Sequence, residues 1–91
     1  MATREDLADD LARDVMAAMA KLGDQELWER VAKVIGTYSP SSQEAFVTAM
    51  RIRLADQRGR TYLGQVLARA ENPALPVPEL PRVQMPSADG H

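Results

Sequence analysis

Cysteine is absent from this chain of 91 residues, and histidine occurs once, at the last position, His91. Without cysteine there is no disulfide and no thiolate ligand, and a single histidine cannot build a structural zinc site. Nucleophilic catalysis is disfavoured as well, because a serine or threonine nucleophile needs a base beside it and no internal histidine can serve. We therefore expect a protein that is not an enzyme and that uses no cofactor and no metal.

Long apolar runs are also missing, since no stretch reaches the roughly 18 apolar residues that a membrane-spanning helix needs. The first ten residues hold four acids and no basic-then-apolar pattern, so we expect neither a secretory signal nor an organelle transit peptide. No glycine-rich phosphate loop is present. These absences favour a cytoplasmic protein without a membrane partner, and the excess of arginine over lysine is typical of a GC-rich bacterial source.

What the sequence does contain is helical periodicity, because apolar residues recur every three or four positions and no segment alternates with period two. Thr3 and Asp6 form a variant capping box, and Gly23 ends the first helix in the left-handed conformation. Asp24 is expected to cap the second helix. The predicted apolar stripes are Leu7, Leu11, Val15, Ala18, Met19 and Leu22 in the first helix, and Leu27, Val31, Val34, Ile35 and Tyr38 in the second.

A third helix is predicted to begin near residue 41, either with Ser39 as the cap and Pro40 in the first turn or with Ser41 as the cap. The predicted fold is all-α, a small bundle of three or four helices over residues 1–71. Its core is small for independent stability, so tight helix packing, the tail or a second chain is needed to support it.

The tail, residues 72–91, holds five of the six prolines. Each proline removes a backbone donor, so the tail is predicted to be an extended, proline-rich C-terminal strap. Its apolar residues lie between the prolines, and they are Leu75, Val77, Leu80, Val83 and Met85. Two interpretations remain open: a strap over the chain's own helices, or a segment that docks on another chain.

Residues 51–65 are rich in charge, with four arginines and two glycines. On a continuous helix Arg51 and Arg58 share one flank, and Arg53 and Arg60 share the other, so the arginines do not form one patch. We expect them to pair with acids of the first helix or of a second copy.

The apolar residues on the two sides of Gly59 would lie on opposite sides of such a helix. The early face consists of Phe46, Ala49, Met50 and Leu54, and the late face consists of Tyr62, Leu63, Val66 and Leu67. Either the chain turns near Gly59 and a fourth helix begins, or one long helix offers its late face to the tail or to a second chain.

The function that these features predict is protein–protein interaction, by a homodimer or by an auxiliary or regulatory subunit of a larger protein partner. Trp28 is predicted to be an interface anchor. The predicted interface residues are Trp28, Arg51, Arg53, Arg58, Arg60, Tyr62, Leu63, Val66, Leu67, Leu75, Val77 and Leu80.

Two alternatives stay open. A nucleic-acid regulator of helix-turn-helix type would place a turn at Gly59, with Ala55 four positions earlier. The net charge of −2 and the arginines that flank Gly59, where apolar residues are expected, make nucleic acid an unfavoured partner. An inhibitor of a nucleic-acid enzyme could mimic phosphates with the acidic face of the first helix, which consists of Asp6, Asp10 and Asp14.

Overall fold

A computed structural model describes residues 1–80, and these contain three helices, α1 (Arg4–Leu22), α2 (Leu27–Tyr38) and α3 (Pro40–Glu71). No strand occurs within the described residues, which confirms the all-α prediction. None of these helices is long and apolar enough to cross a membrane. Val83 and Met85 of the predicted strap lie outside the described residues. The chain divides into two compact units, the first ending at Gly59 and the second beginning at Arg60.

The ends of α1 are set by local hydrogen bonds that the sequence predicts. The hydroxyl of Thr3 accepts a hydrogen bond from the backbone N–H of Asp6 at 2.9 Å, and the Asp6 carboxylate accepts one from the backbone N–H of Thr3 at 3.2 Å. Gly23 ends the helix at φ 67°, where a side chain would be strained.

The start of α2 differs from the prediction, because the helix begins at Leu27 and Asp24 lies in the preceding turn. Asp24 accepts a hydrogen bond from the backbone N–H of Glu26 at 3.1 Å, so its carboxylate stabilises the turn and does not cap the helix. The same carboxylate binds the guanidinium of Arg30, and this hydrogen bond lowers the pKa of Asp24.

α3 begins at Pro40, and Ser39 is its cap, since the Ser39 hydroxyl accepts a hydrogen bond from the backbone N–H of Ser42 at 3.1 Å. Proline fits the first helical position because its missing donor would have no partner there. The helix then continues through Gly59 without a turn, so the described chain forms three helices and not four.

The core of the first unit combines alanines, Val15 and Met19 from α1 and α2 with two large residues from α3. Phe46 and Met50 are the largest buried side chains, with exposed fractions of 1% and 0%. The buried residues are Ala8, Ala12, Val15, Met19, Ala32, Phe46 and Met50.

The buried face of α1 is displaced from the predicted stripe. Leu7, Leu11 and Leu22 were expected in the core, but Leu7 is 61% exposed and the other two are exposed as well. Ala8 and Ala12 take the central positions because small side chains let the helices approach closely, and the leucines then lie at the edge of the contact. Val34 and Tyr38 of α2 also belong to a predicted apolar stripe, but both are exposed. They lie on the side of the helix away from Ala32, which is its buried residue.

Gly36 of α2 lies against the side chain of Gln43 of α3. A Cβ added there would lie 2.7 Å from the side-chain amide of Gln43. That amide donates a hydrogen bond to the backbone carbonyl of Ala32 at 3.0 Å. Glycine therefore leaves room for a polar bond that joins the two helices.

The described part of the second unit comprises residues 60–80. After α3 ends, the chain turns: Asn72 donates to the carbonyl of Ala68, and Leu75 donates to the carbonyl of Asn72, both at 3.0 Å. Arg69 also donates its Nε–H to the carbonyl of Leu75 at 3.1 Å. The residues from Pro76 to Leu80 form no regular secondary structure, and whether the tail acts as a strap stays a prediction.

Candidate protein interface

The predicted interface residues divide between the two units. The first unit holds Trp28, Arg51, Arg53 and Arg58. The second unit holds Arg60, Tyr62, Leu63, Val66, Leu67, Leu75, Val77 and Leu80.

Three of the four residues in the first unit meet at one groove. Trp28 of α2 and Arg51 and Arg58 of α3 line an open groove of about 480 Å³, together with apolar side chains that include Met19 and Leu54. We call it the Trp28 groove. Trp28 is half-buried and packs against the core, whereas both arginines are exposed. The predicted shared flank of Arg51 and Arg58 thus coincides with the predicted aromatic anchor.

Arg53 has a different role, because it forms an ion pair inside the chain. Its Nε and one terminal guanidinium nitrogen donate to the two carboxylate oxygens of Asp9, each at 2.7 Å. The hydrogen bond from Arg53 lowers the pKa of Asp9, and Asp9 in turn raises the pKa of Arg53. A two-point contact of this kind fixes orientation as well as distance, so it holds α1 against α3.

The aspartates of the acidic face of α1 already contact other groups of the same chain. Asp6 is occupied by the capping box with Thr3. The guanidinium of Arg13 lies 3.8 Å from a carboxylate oxygen of Asp10 and 3.8 Å from one of Asp14. No group of carboxylates or histidines within residues 1–80 is arranged to hold a metal ion.

In the second unit, the late face is open to solvent along α3. Leu63, Val66 and Leu67 have exposed fractions of 54%, 38% and 57%, and Tyr62 is half-buried. Single exposed leucines are ordinary on protein surfaces, but a contiguous apolar patch marks an interaction site. The three predicted tail residues are exposed too, and they are Leu75, Val77 and Leu80.

A second apolar groove of the first unit was not predicted. Leu7 and Leu11 line it with Ile35 and Phe46, and its volume is about 420 Å³. The signal that could have revealed it is the four-residue spacing of Ala8 and Ala12, which competes with the leucine stripe for the core.

Comparison with protein-family models, with curated proteins and with solved structures gives no match. Neither a relative nor a structural neighbour therefore indicates a function. The features that bear on function are the exposed apolar residues, the ion pairs, and the two grooves of the first unit.

Proposed function

We propose that this chain is a non-enzymatic protein–protein interaction module that pairs with a second copy of itself through the late face. The observation that carries the proposal is the exposure of Leu63, Val66 and Leu67 on neighbouring turns of α3. Fully burying one such side chain stabilises by about 1.5–3 kcal/mol, so partial burial of three from each copy contributes several kcal/mol.

The expected dimer is weak and depends on concentration. Association costs about 4–15 kcal/mol of lost translational and rotational freedom, which offsets much of the gain from the late face. A twofold arrangement suits such a patch, because one self-complementary surface supplies both sides of the interface. A weak homodimer of this kind would suit an auxiliary or regulatory subunit, because a larger partner could replace the second copy on the late face.

The two alternatives receive less support from the described residues. A helix-turn-helix centred on Gly59 needs a turn between Ala55 and Thr61, and α3 is continuous there. The proposed inhibitor needs a free acidic face, whereas Arg13 lies against two of its three aspartates.

A pair of matched variants tests the dimer. Val66→Asp with Leu67→Asp places two charges on the late face, and Gln65→Asp with Ala68→Asp places two charges on the opposite, exposed side of the same turns. Light scattering on a sizing column should give a dimer at high micromolar concentration for the wild type and the control, and a monomer for the late-face variant, because charge in a dry interface is costly.

Circular dichroism of all three proteins separates loss of the dimer from loss of the fold. A wild-type protein that stays monomeric at high micromolar concentration contradicts the proposal. A late-face variant that remains a folded dimer contradicts it as well, because the interface must then lie elsewhere.

A further inference from the structure

The Trp28 groove combines an apolar surface with two cationic side chains on one edge. Met19, Trp28 and Leu54 supply the apolar part, and Arg51 and Arg58 lie on α3 beside it. The two arginines are seven positions apart, so their backbone positions are separated by about 10 Å along the helix axis. The groove belongs wholly to the first unit and uses no residue of the late face.

These two arginines differ from the paired arginines elsewhere in the first unit. Arg53 binds Asp9, Arg30 binds Asp24, and Arg13 lies against Asp10 and Asp14. Within residues 1–80, neither Arg51 nor Arg58 has an ion pair or a side-chain hydrogen bond. Their charges are therefore available to a ligand beside an aromatic ring that is half-buried.

We propose that the Trp28 groove binds an acidic peptide segment of a partner protein, with two carboxylates on Arg51 and Arg58 and an apolar side chain between them on Trp28. A peptide in the polyproline II conformation has three residues per turn and rises about 3.1 Å per residue, so carboxylates three positions apart lie on one side of it, about 9 Å apart, close to the spacing of about 10 Å. Arginine binds carboxylates through paired N–H donors, and tryptophan is enriched at the buried centres of interfaces. This proposal is independent of the homodimer, since it rests on other residues.

A peptide fits the groove better than a nucleic acid does. Glu29 also lines the groove, and the whole chain has a net charge of −2, so repulsion grows with the charge of the ligand and is larger for a polyphosphate chain than for a short peptide with two carboxylates. The apolar surface between the arginines also offers nothing to a phosphate backbone, whereas leucine-like side chains are stabilised by burial against it.

Trp28 provides the measurement, because it is the chain's single tryptophan and its fluorescence reports on this groove. The probe is an acetylated, amidated peptide with the sequence Glu-Leu-Leu-Glu between glycine–serine flanks, titrated into the full chain at low salt. Its neutral analogue, Gln-Leu-Leu-Gln, and a short single-stranded oligodeoxythymidylate are titrated in parallel.

The acidic peptide should give a saturable shift of Trp28 emission to shorter wavelength. Its affinity should fall about tenfold in the Arg51→Glu, Arg58→Glu double variant, because two exposed ion pairs are lost and two repulsions replace them. The neutral analogue should bind the wild type at least several-fold more weakly. The matched control is the Lys21→Glu, Lys33→Glu double variant, which changes the net charge equally at exposed positions outside the groove, and it should bind as the wild type does.

Several results would overturn the proposal. These are no saturable shift with the acidic peptide, equal binding of the neutral analogue, tighter binding of the oligonucleotide, or equal loss in the lysine control. If the double arginine variant does not fold, as judged by circular dichroism, Arg51→Gln and Arg58→Gln tested singly decide the question, and unchanged affinity in both contradicts it.

Discussion

The two parts of α3, before and after Gly59, are both helical and each has an apolar face, but they bury very different amounts of their apolar surface. In the first unit, Phe46 and Met50 are almost wholly enclosed. In the second unit, Leu63 and Leu67 are both more than half exposed. The later part is no less apolar than the earlier one, so composition alone does not explain the contrast.

The difference lies in what each unit supplies as a packing partner. In the first unit, α1 and α2 contribute alanines and a few larger side chains that close around Phe46. In the second unit, the described chain beyond α3 contributes a turn from Asn72 to Leu75. Helical periodicity thus predicts which face is apolar, but burial depends on whether another element covers that face.

Replacing Phe46 with alanine should have the largest effect on stability. Removing a buried phenylalanine side chain costs about 3–5 kcal/mol, which is close to the whole stability expected for a core of this size. Urea unfolding followed by circular dichroism at low micromolar concentration should show a largely unfolded protein.

Leu63→Ala is the matched change in the second unit, and in the monomer its cost should stay within about 0.5 kcal/mol because the side chain is exposed. An equal loss of stability in the two variants would contradict the contrast between the units, since it would mean that Leu63 is as enclosed as Phe46.

Helix ends were the most predictable feature of the sequence. The capping box of Thr3, the left-handed Gly23 and the cap at Ser39 depend on hydrogen bonds between residues at most three or four positions apart. Such bonds are formed by the local chain in any helix that begins or ends there, so the sequence specifies them. Asp24 was assigned wrongly because a turn can use the same carboxylate that a cap uses.

The buried face of α1 was less predictable, because its sequence contains two overlapping stripes. One runs through Leu7 and Leu11, and the other runs through Ala8 and Ala12. Hydrophobicity favours the leucines, but close packing of three helices favours the alanines, and that requirement appears only when the other helices are in place.

The candidate sites, like the buried face of α1, could be predicted only in part from the sequence. The period of a helix places Arg51 and Arg58 on one flank, but their position beside Trp28 depends on how α2 packs against α3. The pairing of Arg53 with Asp9 joins residues 44 positions apart, and Asp9 is one of several acids on α1 that could have been chosen. Long-range pairs of this kind require the fold.

Gly59→Ala tests whether the two parts of α3 melt together. Its effect on stability should be smaller than that of Phe46→Ala and larger than that of the Asp9–Arg53 pair. Gly59 is helical, and an added Cβ meets nothing within 4 Å, so alanine should stabilise by about 0.5–1 kcal/mol. For a domain of this size that corresponds to a rise in Tm of roughly 2–8 °C.

Gly64→Ala is the control within the second unit, where an added Cβ also meets nothing within 4 Å. We expect a smaller rise in Tm for it, because the second unit buries less. Equal rises would show that α3 melts as one piece, and a fall in Tm for Gly59→Ala would contradict the helical conformation at that position.

The smallest expected effect concerns the Asp9–Arg53 pair, and pH separates it from other contributions. Because Arg53 lowers the pKa of Asp9 in the folded protein, the stabilisation is complete above the unfolded pKa of about 4 and is lost as the pH falls through the lower folded value. Asn has nearly the shape of protonated Asp, so wild type and Asp9→Asn should differ in urea midpoint at pH 7 and converge at low pH.

Arg69→Gln is the control from the second unit, because Arg69 donates to the carbonyl of Leu75, which does not titrate. Its difference from wild type should be the same at both ends of the pH range, and a difference for Asp9→Asn that persists unchanged at low pH would mean that the ion pair is not what stabilises the contact of α1 with α3.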